Sequence, residues 1–386
     1  MKTVEAADAV SILEFFNDLT DPRSTINRKH LLGEIMVICI CAVIGGADGP
    51  QSIGLWANSK KDWLQAVLTL PFGIPSHDTI ARVLAALKPA AFQACFQQWT
   101  RKLQGAHVPP DEGQDKQIAI DGKALRRSHD RRNNLGPLFL VSAWSVECGL
   151  SLGQLATEEK SNEITAIPAL LEQLDVRGAI VTIDAAGCQK NIAQQIIDGG
   201  GDYVLSLKGN HMNIHHAVQN WMQEQMELRF RDIAVQRFTK TEKGHGREVT
   251  SWYTQADVPQ SLRGRKEWAG LKTIGMVLRH SQERATTVCD TRYFLSSLEL
   301  NVNRFATAVR GHWAIENSLH WCLDVTFRED ESRLRDRIAG DNMAWLKRFA
   351  IGLLKQVPSK ESIAMRRRMA GWSDAYMTQV LGMKGS

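Results

Sequence analysis

Several common classes are excluded by what this sequence lacks. Its seven cysteines (39, 41, 95, 148, 188, 289 and 322) are odd in number, scattered through apolar stretches and never spaced Cys-x-x-Cys. That argues against a disulfide framework or a zinc knuckle and for small buried hydrophobes in a reducing compartment. No apolar run is long enough to span a bilayer. The most apolar stretch, Ile35 to Gly46, follows Glu34 and reads as a core helix. The chain begins with acidic residues and lacks a signal-peptide pattern, so the expected setting is the cytoplasm, with no membrane partner. Internal repeats and low-complexity tracts are absent. Charge of one sign is scarce too: a formal +5 over 386 residues permits nucleic-acid binding without demanding it, because clustering on one face decides.

What is present describes an ordinary folded chain, with 44% hydrophobic and 23% charged residues and length enough for two domains. Residues 1–105 read as all-helical. Leu31 to Ile44 is a buried helix ended by Gly45-Gly46, and Trp56 and Trp63 stand a helical heptad apart. Ser76 is placed to cap a helix carrying Ile80, Val83, Leu84 and Leu87. Such helices suit either a helix-turn-helix reader, with Ser76, His77 and Arg82 facing a groove, or a small packing domain. Residues 106–116, with Pro109-Pro110, read as a linker. From Gln117 the pattern becomes β, a β-hairpin, then α, β, α, β, α, which describes a mixed sheet covered by helices. A strand-rich stretch of about 230–297 follows, then helix from Asn303 through about Leu323, more helix at Asn342 to Leu354, and a basic tail over 357–386.

Three carboxylates carry the chemistry. Gln117-Ile-Ala-Ile-Asp121 and Ala179-Ile-Val-Thr-Ile-Asp184 each read as a short apolar strand closed by an aspartate, and strand ends of an α/β sheet are where ligands bind. Two neighbouring aspartates repel unless a divalent cation neutralises them. Oxygen-only ligation suits Mg²⁺ or Mn²⁺. Glu316, on a helical stripe with His312, His320 and Leu323, supplies a third carboxylate. Such a set holds cations that activate a nucleophilic oxygen and stabilise a leaving one during in-line displacement at a phosphate. The bland alternatives are a hairpin turn at Asp121-Gly122, a helix cap at Asp184 and a solvent-facing Glu316. Arg126/Arg127 with Arg131/Arg132, Arg333/Arg335/Arg337 and Arg366/Arg367/Arg368 favour a polyanionic partner, though each also fits a solvated face. Lys208 and Asn210 suit phosphate contacts or a turn. Lys243-Gly-His-Gly-Arg247 reads as a DNA-touching loop tip or a plain hairpin turn. Trp252 and Trp268 are candidates to stack on a flipped base or to lie buried.

Taken together, Ile118-Ala-Ile-Asp-Gly-Lys-Ala-Leu-Arg-Arg-Ser128, Lys160-Ser-Asn-Glu163, Thr182-Ile-Asp-Ala-Ala-Gly-Cys-Gln189, Asp202-Tyr-Val-Leu-Ser-Leu-Lys-Gly-Asn210 and His312-Trp-Ala-Ile-Glu-Asn317 resemble one family. It is the DDE transposases of bacterial insertion sequences, among them the H-repeat-associated proteins linked to Rhs elements. The resemblance runs over nearly the whole chain. It implies an α/β, ribonuclease H-like catalytic domain over 117–356, with a β-rich insertion at about 230–297, behind an all-α transposase-associated domain. It also implies Mg²⁺- or Mn²⁺-dependent cleavage and joining of double-stranded DNA at element ends. Asp121, Asp184 and Glu316 become the metal-binding catalytic triad. Lys123, Arg126, Arg127, Lys208, Asn210, Arg247, Arg310, His312 and His320 become the DNA-facing set. Joining two ends raises the expectation of a homodimer on DNA, and DNA binding that of nucleoid association. One departure is visible. Where related enzymes carry a Tyr/Arg/Glu/Lys pattern, alignment on Glu316 puts Val309 at the Tyr, His312 at the Arg and Leu323 at the Lys. Arg310, His312 or His320 would then grip phosphate. The competing readings are a remnant that binds element ends without cutting them, and a zinc hydrolase built on His312, Glu316 and His320.

Overall fold

The helix Leu32–Ile44 (α1) shows how the molecule is put together. Ile35 through Ile44 are all fully buried, so the helix has no solvent face and must be covered on every side. Burying one such side chain contributes about 1.5–3 kcal/mol, a return available only if other helices surround it. The structure, a computed structural model, describes residues 12–26, 28–106, 115–157, 163–231, 233–244, 247–283 and 286–382. After α1 come α2 (Pro50–Ser59), α3 (Lys61–Val67), α4 (His77–Ala86) and α5 (Pro89–Ala106). Ser76 caps α4 as expected, its Oγ accepting from the Thr79 amide at 3.3 Å.

The sheet follows. Strands β1 (Lys116–Leu125), β2 (Leu138–Ser145) and β3 (Leu150–Thr157) form an antiparallel meander; α6 (Glu163–Leu171), β4 (Ala179–Ile183), α7 (Lys190–Asp198), β5 (Asp202–Leu207) and α8 (Met212–Glu227) complete the crossovers. Then come β6 (Val235–Gly244), β7 (Arg247–Asp257), β8 (Thr273–Glu283) and β9 (Thr286–Ser296). The nine strands of the described residues join in one sheet of order β3-β2-β1-β4-β5-β9-β8-β7-β6, with β1, β4 and β5 parallel at its centre. The strand-rich stretch therefore extends the sheet: β9 pairs antiparallel with β5, and β8, β7 and β6 continue outward.

The helix predicted from Asn303 to Leu323 is three pieces: α9 (Val302–Ala314), a π turn at Ile315–His320, and α10 (Trp321–Val325). The last elements are α11 (Arg337–Gln356), α12 (Ile363–Trp372) and α13 (Asp374–Val380). Helix α11 packs between α1, α4 and β3. Phe96 and Trp99 of α5 meet Trp345 and Phe349 of α11, with ring centroids 4.6 Å apart for Trp99 and Phe349. The N-terminal helices thus share one core with the C-terminal ones. The basic tail read from sequence is also part of that core. Arg366 donates to the carbonyls of Leu354 and Val357, and Arg367 to those of Val43, Thr326 and Ala47. These guanidiniums satisfy carbonyls left over at helix ends. The expected linker falls largely outside the described residues.

Candidate active site

Strand β1 is longer than its apolar run suggested, and that moves Asp121 from a strand end into mid-strand. Its ladder with β2 continues through Asp121↔Ser142 to Leu125↔Leu138, so Asp121-Gly122 is no turn. The parallel ladder with β4 stops at Ile120↔Ile183. The next residue on each chain is an aspartate, and the two stand side by side where the parallel pairing ends. Asp184 is no helix cap either. Its Oδ1 accepts from the amides of Ala186 at 3.1 Å and Gly187 at 3.4 Å, while α7 starts later, at Lys190. Asn210 steadies that turn by donating to the Ala185 carbonyl at 2.6 Å.

Alternation along β1 turns Gln117, Asp121 and Lys123 to one face, and α9 with its π turn lies on it. Buried Gln117 donates to the Ala308 carbonyl at 2.7 Å and the Thr182 hydroxyl at 3.3 Å, pinning α9 to the sheet. Gly311 makes room, since a Cβ there would overlap the Gln117 amide. The π turn then breaks the expected stripe. Its wider turn, with Trp321 N–H bonded to the Glu316 carbonyl, leaves Glu316 exposed and His320 largely buried. Such single-turn insertions recur at functional sites. His320 Nδ1 lies 3.4 Å from Asp121 Oδ2, and His312 Nδ1 lies 3.2 Å from the Thr182 hydroxyl.

Electrostatics ties these residues together. Burial pushes the Asp121 carboxyl up to about 7, and the negative charges of Asp184, Glu316 and Glu163 push the same way, against one hydrogen bond from the Gly122 amide. Among the described residues no Lys or Arg forms an ion pair with Asp121, Asp184 or Glu316. His320 offers no charge, because burial and the nearby Arg348 and Lys123 hold its pKa down to about 3. Burial lowers His312 as well. Among the described residues no three His, Cys, Asp or Glu side chains close into a ready-made metal shell. The donor chemistry nonetheless fits a hard divalent cation: carboxylate oxygens that repel at Asp121 and have, among the described residues, no Lys or Arg ion pair. It fits zinc on His312, Glu316 and His320 poorly, since the two imidazoles face Thr182 and Asp121 and Glu316 is exposed while His320 is largely buried.

Residues 112–353 match the family described as Transposase DDE domain, and residues 13–100 its associated domain. The chain is 37% identical over 384 residues to the "H repeat-associated putative transposase YhhI" of Escherichia coli (strain K12), covering 97% of this chain and 98% of that one. This chain belongs to the DDE transposase family. It is similarly 37% identical to the "Putative transposase YncI" of Escherichia coli O157:H7, over 96% of this chain and 94% of that one. Among solved structures it is similar to a piggyBac transposase in a synaptic complex with hairpin DNA. That likeness has a TM-score of 0.41 and 10% identity, over 95% of this chain and 76% of the other, and is too slight to carry an argument.

For a member of this family, the fate of the expected DNA-facing residues matters. Lys123 is buried, its ammonium 2.6 Å from Asp324, 2.9 Å from Asp330 and 3.7 Å from Glu329, so it faces inward. Arg126 and Arg127 lie at the surface, paired with Asp330 at 3.2 Å and Glu331 at 2.6 Å. Arg310 pairs with Glu242 of β6 at 2.8 Å, and Lys208 is exposed just after β5. Arg247 begins β7, and the tip beside it, residues 245 and 246, lies outside the described residues. Of the tryptophans, Trp268 is buried and Trp252 is 40% exposed. On α4, His77 faces Asp78, and Arg82 donates to the Asp78 carbonyl. Val309 and Leu323, at the positions of the family's Tyr and Lys, are core residues. Sequence reasoning passed over Glu163. It is buried beside Gly122, where a Cβ would come within 2.5 Å of its carboxylate. A glutamate opening a helix usually answers the helix dipole, and that ordinary role hid it; residues 160–162 of its motif lie outside the described residues.

Proposed function

We propose that this chain cuts and joins DNA at the ends of an insertion sequence by in-line phosphoryl transfer, on a ribonuclease H-like arrangement of β1, β4 and the α9–α10 helix. The observation that carries this reading is the juxtaposition at the end of the β1–β4 ladder, where Asp121 and Asp184 stand side by side under the π turn of Glu316. Burial first, then the charges of Asp184 and Glu316, raise the Asp121 carboxyl there. Two strands and a helix distant in sequence supply Asp121 and the charges of Asp184 and Glu316 that act on it. Asp121, Asp184 and Glu316 would hold Mg²⁺ or Mn²⁺. The cation, when bound, supplies a Lewis acid for phosphate oxygens and lowers the cost of deprotonating the attacking hydroxyl.

The chain's own residues do the rest. The Ala186 and Gly187 amides fix the Asp184 carboxylate. His320, neutral beside Asp121, orients that carboxylate without neutralising it. Glu316, exposed on the π turn, is the member best placed to respond to arriving DNA. Arg126, Arg127, Lys208 and Arg310 are the cations left at the surface for phosphate contacts, which position DNA without reading its sequence. The associated helices would bind element ends, and two copies would hold two ends.

The test is strand cleavage by the full chain, with Mg²⁺, on duplexes spanning the DNA that flanks its coding sequence. Nicking at an element end, lost in Asp184→Asn while DNA binding persists, is the expected result. Binding without any nicking would favour the remnant reading.

A further inference from the structure

Glu316 and Asp121 belong to different elements, and something must keep the helix in place over the strand across a loosened π turn. On the near side, Gln117 grips the Ala308 carbonyl. On the far side, Lys123 grips Asp324, in the last turn of α10, at 2.6 Å. Both residues lie on the β1 face that carries Asp121, four residues before it and two after. The helix is thus fastened to the strand at two points that straddle the π turn.

The far fastening is tied deeper into the molecule. Lys123 also faces Asp330 at 2.9 Å and Glu329 at 3.7 Å. Glu329 in turn meets Arg348 of α11 at 2.8 Å, and both side chains are wholly buried. Arg348 also donates to the Ala344 carbonyl at 3.1 Å within α11. A continuous ionic chain therefore runs from Asp324 on the helix after Glu316, through Lys123 on the strand of Asp121 and then Glu329, to Arg348 on the helix that the N-terminal helices pack against. Such a chain is demanding to assemble, because each buried charge needs its partner. A lysine needed only for solubility or DNA contact would have no reason to be enclosed by three carboxylates.

We infer that Lys123 is a positioning residue: it holds α10 on β1 and thereby sets Glu316 opposite Asp121 and Asp184. This rests on reading those carboxylates as the strand-transfer centre, but the brace itself is open to a separate measurement. In the full chain, hydrogen exchange of peptides covering 315–325 reports whether the helix is held. Lys123→Met is expected to speed that exchange about tenfold or more, with exchange in α1 unchanged. Cleavage of the flanking-DNA duplexes with Mg²⁺ should lose about a hundredfold in kcat, the scale of a misplacement near 1 Å, with KM moving far less. Asp324→Asn, at a half-exposed position, should act in the same direction and more weakly, and it carries the test if Lys123→Met fails to fold. The double variant should be little worse than Lys123→Met alone, because both substitutions cut one link.

Wild-type exchange over 315–325 in both single variants would overturn the brace. So would a Lys123→Met enzyme that binds DNA weakly but keeps its kcat, which would make Lys123 a phosphate contact. If the variants loosen 315–325 while the wild type cuts no DNA, the brace stands and the proposed reaction falls.

Discussion

Two acidic regions lie on either side of residue 122, and they are handled in opposite ways. Around Asp121 the carboxylates of Asp184, Glu316 and Glu163 push in one direction, and among the described residues no Lys or Arg ion-pairs with Asp121, Asp184 or Glu316. Around Lys123, only two residues on, Asp324, Glu329 and Asp330 meet Lys123 and Arg348 at 2.6–3.7 Å. Burial raises Asp121, whereas Glu329, more deeply buried, is held below its ordinary value by Arg348, Lys123 and Lys347. Carboxylates thus divide into a set with no Lys or Arg ion pair to Asp121, Asp184 or Glu316 among the described residues, and a set that meets its own cations. The first arrangement costs stability and makes sense where an outside cation is to arrive; the second holds the fold.

The sharpest way to break that contrast is to remove one charge from each side. Asp121→Asn or Asp184→Asn should abolish Mg²⁺-dependent cleavage, by roughly 10³-fold or more. In metal-free buffer Asp121→Asn should nevertheless melt above the wild type, since it relieves buried repulsion. A lower Tm would mean that Asp121 is compensated after all. On the other side, Glu329→Gln leaves Arg348 uncompensated in the core and should cost about 3–5 kcal/mol by denaturant unfolding. Replacing Glu329 and Arg348 together with apolar residues of similar volume should recover most of that loss. If Glu329→Gln is neutral, the two regions do not differ as described.

How much of this was legible beforehand depends on sequence distance. Asp121, Asp184 and Glu316 stood out because each interrupts an apolar pattern, and the Ser76 cap was readable because a cap is local. The burial of Lys123 was not readable. Its partners lie some 200 positions away, and a lysine beside two arginines looks the same in sequence whether it faces DNA or an acidic turn. The π turn hid for a related reason: its i→i+5 bonding leaves no mark on a 3.6-residue pattern, so His312, Glu316 and His320 seemed to share a stripe. The end of the chain misled through composition alone, since Arg366 and Arg367 look like a solvated tail until their carbonyl partners are seen.

Asp341 sharpens the comparison, because it lies outside the site and forms no salt bridge among the described residues. Burial raises it to about 6, while Gln154 hydrogen-bonds it and Arg348 lowers it without offsetting the burial. Its folded-state value lies above the unfolded one, so the native state holds the proton more tightly. The associated stability is complete below about pH 4 and is lost as pH rises through about 6. Asp341→Asn should therefore stabilise the protein at pH 7.5 by about 1–3 kcal/mol, flatten the pH 4–6 slope and leave cleavage intact. Unfolding curves at pH 5 and 7.5 decide it; a loss of cleavage would place Asp341 in the function.

The smallest effect is expected where counter-charge is present but exposed. Arg126 and Arg127 pair with Asp330 and Glu331 at the surface, and such pairs contribute little to stability. Phosphate can displace those carboxylates at low cost. Arg126→Ala should leave Tm almost unmoved and weaken binding to every duplex alike, reducing the salt slope of log Kd by about one. Binding isotherms at several salt concentrations measure that slope. An unchanged slope would mean that Arg126 stays with Asp330 when DNA is bound, which would move the end of β1 from the DNA-facing surface into the compensated region with Lys123.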